Sequence, residues 1–479
     1  MRRSLGFAVN AILSTLVAVP TANGAPAKDN PHTLARDIFK QLVEIDTSQT
    51  GLGTTPAAQA MAQRFREAGF ADRDINVVGD NPRKQNLVVR LHGNGNRQPV
   101  LLMGHLDVVE ARREDWTTDP YRFIEKDGFY YGRGTQDMKD GDAILTATLI
   151  RLRQDHYRAD RDIILALTAD EEGGNSNGMQ WLLEHRPDLV RAEFALNHDG
   201  TGVVLENGKP ITLEISASEK VYADFDLSVT NDGGHSSVPR KDNAIYALTH
   251  ALDRIEAFAF PFELNNVTRA FYESALKNSS PGRAEDLRGV LKSPPDSAAV
   301  ARLSEDPVDN ASVRTTCIPT RLQAGHANNA LPQTARAIVN CRILPGHSPE
   351  ETRRTLIDVI ADSEVVVRYV DPSGPLLEAA PLDRGFEPPP LRRDVMDALN
   401  HVARKYFPGV QVVPTMSVGA SDAVFTSAAG IPTYFVSGEA SERSDDRMHG
   451  RDERIPARSF DRALDFYYEF LHDVLRRGN

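Results

Sequence analysis

Residues 100–107 read Val-Leu-Leu-Met-Gly-His-Leu-Asp, and this stretch decides the fold class. A short apolar run that ends at a glycine is typical of a strand buried on both faces of a parallel sheet. Similar runs recur along the first half of the chain, with segments of helical spacing between them, at residues 86–91, 163–168 and 194–197 for the strands and 140–153 and 178–185 for the helices. This alternation predicts an α/β domain with a mostly parallel sheet.

Polar side chains follow these strands where ligands of parallel sheets bind, beyond the carboxyl ends. His105 and Asp107 lie on the same side of an extended segment, an arrangement in which a carboxylate can orient a metal-bound imidazole. The other polar residues at such positions, or in the polar stretch near the C-terminus, are Asp137, Glu171, Glu172, Asp199 and His449. Each has an ordinary structural interpretation: a helix cap for Asp137, a solvated charge run at 170–172. Together they form the ligand set expected for zinc or a related divalent ion.

The pattern changes near Ile211, where a smaller α+β domain is predicted. It contains alternating segments at 219–229, 314–323, 334–343 and 364–369, helical segments at 243–257 and 350–362, and a polar, Pro-rich extended insertion at roughly 278–309. After the prolines at 388–390 the first pattern resumes, with a helix at 392–406, a strand near 433–436 and a final helix at 457–477. The predicted limits are 28–212 and 386–479 for the two parts of the first domain and 213–385 for the inserted domain.

Composition excludes several classes of protein. The net charge is −12 and no run of Lys or Arg occurs, which argues against nucleic-acid binding. Only Cys317 and Cys341 are present, so neither a cysteine-based zinc site nor a disulfide-rich scaffold is possible. The two cysteines flank a predicted pair of strands nearly symmetrically, and both a cross-strand disulfide and two free buried thiols remain open.

The N-terminus predicts a secretory signal peptide at residues 1–27. Arg2 and Arg3 precede an apolar run from Leu5 to Val19, and small residues follow it. The run is too short for a convincing membrane span, so no stable span is expected after cleavage. The mature protein is therefore predicted to be periplasmic or secreted.

These motifs, in this order over nearly the whole mature chain, resemble the M20 family of metallopeptidases, which includes glutamate carboxypeptidase, carnosinase-like dipeptidases and aminoacylases. The resemblance implies two divalent metal ions, with Zn²⁺ expected and Co²⁺ or Mn²⁺ as alternatives. It assigns His105, Asp137 and Asp199 to one ion, and Asp137, Glu172 and His449 to the other. Glu171 matches the general base that activates a metal-bridging hydroxide, and Asp107 matches the partner of His105.

The smaller domain carries further similarity to the family. Residues 233–239, Gly-Gly-His-Ser-Ser-Val-Pro, resemble a lid motif whose histidine, here His235, stabilises the oxyanion across a dimer in several members. Asn329 and Arg342 resemble the residues that hold the substrate, and Arg342 suits a carboxylate. Ser421 lies in a segment similar to a substrate-contacting loop. The resemblance thus implies a homodimer formed through the lid domain.

Function follows from the same resemblance. An aspartate at the position of Asp199 accompanies peptidases, which favours a carboxypeptidase or dipeptidase acting on small peptides. An N-acyl-amino-acid hydrolase is the alternative. A non-catalytic binding protein on the same fold is disfavoured, because Glu171 and all five ligands are present. Two departures from the family pattern are Met138, which replaces a second acid after Asp137, and Arg451-Asp452, which replaces a usual Pro-Asn.

Overall fold

The computed structural model describes Met1 and residues 30–476, apart from residues 201, 278, 373 and 383–385. Its main sheet has ten strands, and the strands at its centre pair in parallel. The order across the sheet is Ile75–Val78, Asn86–Leu91, Arg161–Thr168, Arg97–His105, Phe194–Asn197, Thr433–Phe435, Lys209–Glu219, Val203–Glu206 and Ala440–Glu442, with Gln411–Ser417 also paired to Lys209–Glu219. The α/β prediction with a mostly parallel sheet is confirmed.

Helices cover both faces of this sheet, which is why its central strands are apolar on both sides. They are Pro31–Val43, Thr55–Glu67, Lys139–Gln154, Gly178–His185, Pro187–Val190, Arg393–Tyr406, Ala423–Ala428 and Ala457–Val474. Leu102 faces the core below Lys139–Gln154, and Leu101 faces the core on the side of Gly178–His185. Because both cores depend on the strand at 97–105, its end is held firmly where His105 stands.

A second sheet of five strands forms the smaller domain. Its order is Thr316–Ala324, Thr334–Ile343, Val221–Thr230, Val366–Val370 and Leu376–Leu377. Helices Ala244–Ala257 and Pro349–Ile360 pack against one face, where alternate side chains of the strands are buried. Strand Lys209–Glu219 lies in the main sheet and Val221–Thr230 in the second, so the chain passes between them at Lys220. The predicted domain limits stay a prediction.

Two small sheets complete the strands. Gly234–His235 pairs with Ala330–Leu331, and Phe129–Tyr131 lies between Ile124–Lys126 and Arg454–Pro456. The latter sheet joins two regions that are far apart in sequence, one preceding Asp137 and one following His449.

The insertion expected at roughly 278–309 is helical rather than extended in its described part, which corrects the sequence interpretation. The helices here are Asn266–Ala275, Pro281–Val290, Ser297–Leu303 and Pro307–Ser312, and the first three build a small core of their own. Pro281 and Pro307 occupy the first turns of their helices, where a missing N–H costs nothing. The Asp306 side chain caps the N–H groups of Val308 and Asp309.

Cys317 and Cys341 form a disulfide between facing positions of two antiparallel strands. This settles the choice that the sequence left open, and it ties an exposed edge strand to the neighbouring strand of the second sheet.

The predicted signal peptide lies, apart from Met1, outside the described residues. No helix in the described part of the chain is long and apolar enough to cross a bilayer.

Candidate active site

The carboxyl ends of the central strands bring the predicted residues together. His105 ends the strand at 97–105, and its N-terminal neighbour Gly104 packs directly against the helix at 139–154. A Cβ atom at Gly104 would lie 2.4 Å from Asp142 Oδ1. Glycine therefore allows the strand and helix to approach closely, and this places His105 beside Asp137, just before that helix begins.

Two groups of side chains that could hold a metal ion meet at Asp137. His105, Asp137 and Asp199 form one group, and Asp137, Glu172 and His449 form the other, each with its ligand atoms within 4.8 Å of one another. His105 Nε2 lies 3.0 Å from Asp137 Oδ1, and His449 Nε2 lies 3.0 Å from Asp137 Oδ2. Asp137 thus directs one carboxylate oxygen into each group.

His449 occupies its place through an unusual backbone conformation, with φ 60°. A non-glycine residue in the left-handed region costs of order 1 kcal/mol or more and persists where the surroundings impose it. Here the conformation sets Nε2 2.9 Å from Glu172 Oε2.

Asp107 contacts both the imidazole and the loop that carries the two glutamates. His105 Nδ1 donates to the backbone oxygen of Asp107 at 3.1 Å, whereas the Asp107 carboxylate is 3.8 Å from this nitrogen. That carboxylate instead accepts the backbone N–H groups of Glu171 at 3.1 Å and Glu172 at 3.0 Å. A protonated Nδ1 leaves the Nε2 lone pair for a cation.

The pKa values of the candidate ligands indicate whether the site suits divalent cations. Burial, with the charge of Asp137, raises the pKa of Asp199 to about 7. Hydrogen bonds to Asp137 and Glu172 raise the pKa of His449 to about 10. Without ions, both side chains favour their protonated forms, because a proton adds positive charge among the carboxylates. Bound cations would add positive charge at the same place. Imidazole and carboxylate donors in this number fit zinc, cobalt or manganese.

Glu171 lies beside both groups, with Oε2 3.8 Å from His105 Nε2. Burial and the neighbouring charges of Asp199, Asp422 and Glu172 raise its pKa well above the usual value, although His105 acts in the opposite direction. The preceding acid, Asp170, has a different surrounding: Lys84 Nζ donates to it at 2.7 Å. The three consecutive acids therefore have different surroundings. Asp170 forms an ion pair, Glu171 lies beside the candidate ligands, and Glu172 is itself a candidate ligand.

Ser421 adjoins the same edge of the sheet. Its hydroxyl donates to Glu219 Oε2 at 2.9 Å and accepts from Asn197 Nδ2 at 3.4 Å. The next residue, Asp422, is buried and accepts from Thr168 Oγ1 at 2.6 Å. The sequence interpretation named Ser421 but gave no role to Asp422, which follows it, or to Glu219, because neither shares a spacing with the candidate ligands.

The lid residues make their contacts within the smaller domain. His235 is exposed and pairs with Ala330, next to Asn329. The backbone N–H of Ser237 donates to His235 Nδ1 at 3.2 Å, so a neutral ring carries its hydrogen on Nε2. Arg342 stacks on Tyr222, with its guanidinium carbon 4.7 Å from the ring centroid. The structure thus joins His235 to Asn329, and places Arg342 elsewhere on the same domain.

A pair that sequence reasoning missed entirely lies behind the candidate ligands. Arg133 Nη1 donates to Glu453 Oε2 at 2.5 Å, and both side chains are buried. Glu453 follows His449 by four residues. No sequence pattern indicates its role, because its partners are more than 300 residues away in sequence.

Solved structures share this fold. The M20 family metallo-carboxypeptidase Sso-CP2 from Sulfolobus solfataricus superposes with a TM-score of 0.68 over 92% of this chain and 99% of that chain, at 17% identity. Human carnosine dipeptidase 1 superposes with a TM-score of 0.62 over 93% of this chain and 96% of that chain, at 16% identity. At such identities the likeness establishes the architecture alone.

Sequence relatives are more informative. The human N-fatty-acyl-amino acid synthase/hydrolase PM20D1 is 30% identical over 388 residues, which cover 79% of this chain and 74% of the relative. A probable carboxypeptidase S-like 2 from Dictyostelium discoideum is 29% identical over 386 residues, with 79% and 72% covered. The profile of Peptidase family M20/M25/M40 matches residues 101–473. The chain is a member of peptidase family M20, and it is an enzyme.

Proposed function

We propose that this enzyme is an exported di-metal peptidase that hydrolyses amide bonds of small peptides as a carboxypeptidase or dipeptidase. The observation that carries the proposal is Asp137, which directs its two oxygens toward two groups of ligand side chains. A carboxylate shared in this way is suited to bridging two ions. Export rests on residues 1–27, and N-terminal sequencing of the mature protein tests it.

When bound, two divalent ions polarise the scissile carbonyl and lower the pKa of an attacking water. Glu171 accepts the proton of that water and transfers it to the leaving amine. Burial raises the pKa of Glu171 above its usual value, and this makes its carboxylate a stronger proton acceptor. Asp107 holds the backbone of Glu171 and Glu172 and so fixes the distance between base and ligands.

Residues of the lid, together with Ser421 of the larger domain, recognise the substrate in this proposal. Arg342, supported by the ring of Tyr222, binds the terminal carboxylate, while Asn329 and Ser421 contact the remainder. His235 donates from Nε2 to the oxyanion. Because His235 is exposed and its contacts lie within the lid, we assign it to the active site of a second copy of the chain in a homodimer.

A second candidate is hydrolysis of N-acyl amino acids. It is favoured by the similarity to PM20D1, an N-fatty-acyl-amino acid synthase/hydrolase, over 79% of this chain. The same catalytic residues serve both reactions, since each cleaves an amide next to a free carboxylate. Initial rates on a panel of dipeptides, longer peptides and N-acyl amino acids decide between them.

Glu171→Gln should retain both metal ions but lose activity by about 10²–10⁴-fold, because it removes the base and not a ligand. Metal analysis and kcat on the preferred substrate of the panel measure this. Glu184→Gln, an exposed glutamate, is the control and should be unaffected. Loss of metal in proportion to activity would instead make Glu171 a ligand.

His449→Ala should lower the metal content from two ions per chain to roughly one, and reduce activity with it, because it deletes one of three ligands. The exposed His401→Ala serves as the matched control. A His449→Ala protein with two ions and full activity contradicts the assignment.

Chelation of the native protein should abolish the activity and lower its Tm, since a native-state ligand stabilises the fold.

Arg342→Ala should raise KM for substrates with a free carboxylate by about tenfold or more, and much less for the matched amides, because it removes a charge-assisted hydrogen bond. Arg321→Ala, which changes an exposed arginine of the same sheet, is the control. Equal changes in KM for acid and amide show that Arg342 does not bind the carboxylate.

Inactive His235→Ala and Glu171→Ala proteins should regain activity when mixed, because one site of a mixed dimer combines an intact Glu171 with an intact His235. Differential tagging must show that mixed dimers form. If they form and stay inactive, or if the native protein is monomeric, His235 does not act across a dimer.

A further inference from the structure

Glu453 is a carboxylate with no solvent exposure that holds the loop carrying Asp137. Oε1 accepts the backbone N–H groups of Gln136 at 2.7 Å and Asp137 at 3.3 Å. Oε2 accepts the N–H of Gly134 at 3.2 Å and Nη1 of Arg133 at 2.5 Å. This one side chain therefore contacts four residues of the loop, namely Arg133, Gly134, Gln136 and the shared Asp137.

Arg133 connects the same loop to the segment that carries His449. Its Nη2 donates to the backbone oxygen of Gly450 at 3.1 Å, directly after His449. The backbone of Glu453 also accepts from Gly132 N at 3.2 Å. Hydrogen bonds therefore join the segment at 449–453 to both the beginning and the end of the loop at 132–137.

We propose that Arg133 and Glu453 form a buried clamp that sets the distance between Asp137 and His449 and thereby controls ion binding at Asp137, Glu172 and His449. The inference rests on the proposed metal site. Arg133 and Glu453 are positioning residues and contact neither ion nor substrate.

The clamp acts unequally on the two ion sites. Two of the three ligands at the Asp137–Glu172–His449 site belong to clamped segments. At the other site only Asp137 does, because His105 and Asp199 are placed by the ends of strands in the main sheet. Loss of the clamp therefore weakens one ion more than the other.

A buried ion pair can serve the fold alone, and the chain offers a matched example. Glu350 in the smaller domain is also buried, and it accepts from Arg353 Nε at 2.8 Å and from the backbone N–H of Ala380 at 2.9 Å. It resembles Glu453 in burial and partners, but its contacts lie within the smaller domain.

The experiment compares Glu453→Ala, Glu453→Gln and Glu350→Ala as full-length proteins. Equilibrium dialysis against Zn²⁺ gives the affinity of each ion, and thermal unfolding of the metal-free proteins gives the loss of stability. For Glu453→Ala we expect the ion at Asp137, Glu172 and His449, which is the ion that His449→Ala should remove, to bind about 10–100-fold less tightly, as for other residues that orient metal ligands, with the second ion changed much less. Glu453→Gln keeps the volume and one acceptor oxygen, so it should restore part of the affinity. It also keeps the test available if the alanine variant does not fold.

Glu350→Ala should lower Tm while both ions bind as in the native protein. The clamp is overturned if folded Glu453 variants bind both ions with native affinities, or if Glu350→Ala weakens the same ion as much. Either result leaves the proposed hydrolase intact, provided the native protein binds two ions and turns over substrate. If the native protein binds no ions, the proposed metal site fails and the clamp fails with it.

Discussion

Acidic side chains gathered at the carboxyl edge of a sheet repel one another, and three of them here are offset by a particular partner. Asp107 accepts two backbone N–H groups, Asp170 pairs with Lys84, and Glu453 pairs with Arg133. Asp137 and Glu172 face only partial compensation from two imidazoles that would otherwise be neutral at pH 7. The local fold is built around carboxylates that need positive charge, and divalent cations supply it most directly.

The site also depends on two distant parts of the chain. His105, Asp137, Glu172 and Asp199 precede the smaller domain, whereas His449 follows it. The small sheet at 129–131 and 454–456 and the contacts of Glu453 hold these parts together. Because the smaller domain is inserted between them, it can carry substrate-binding residues without supplying any of the five proposed ligands.

Much of the main sheet could be predicted from sequence, because strands buried on both faces leave uninterrupted apolar runs such as 194–197. The strand Gln411–Ser417 was missed since Pro414 interrupts its pattern, and the strand tolerates that proline because it pairs only with Lys209–Glu219. The helices at 281–312 were missed because each is too short to show a clear period. The contacts of Asp107, Glu219, Asp422 and Glu453 could not be predicted, as they join residues distant in sequence and follow from packing alone.

The central claim is that Asp137 is shared between two metal ions. Crystals of the protein grown with Zn²⁺ and measured on both sides of the zinc absorption edge test it most directly. If Asp137 is shared, two anomalous peaks are expected per chain, one beside each oxygen of Asp137, with His105 and Asp199 at one and Glu172 and His449 at the other. A single peak, or two peaks that do not share Asp137, would contradict it.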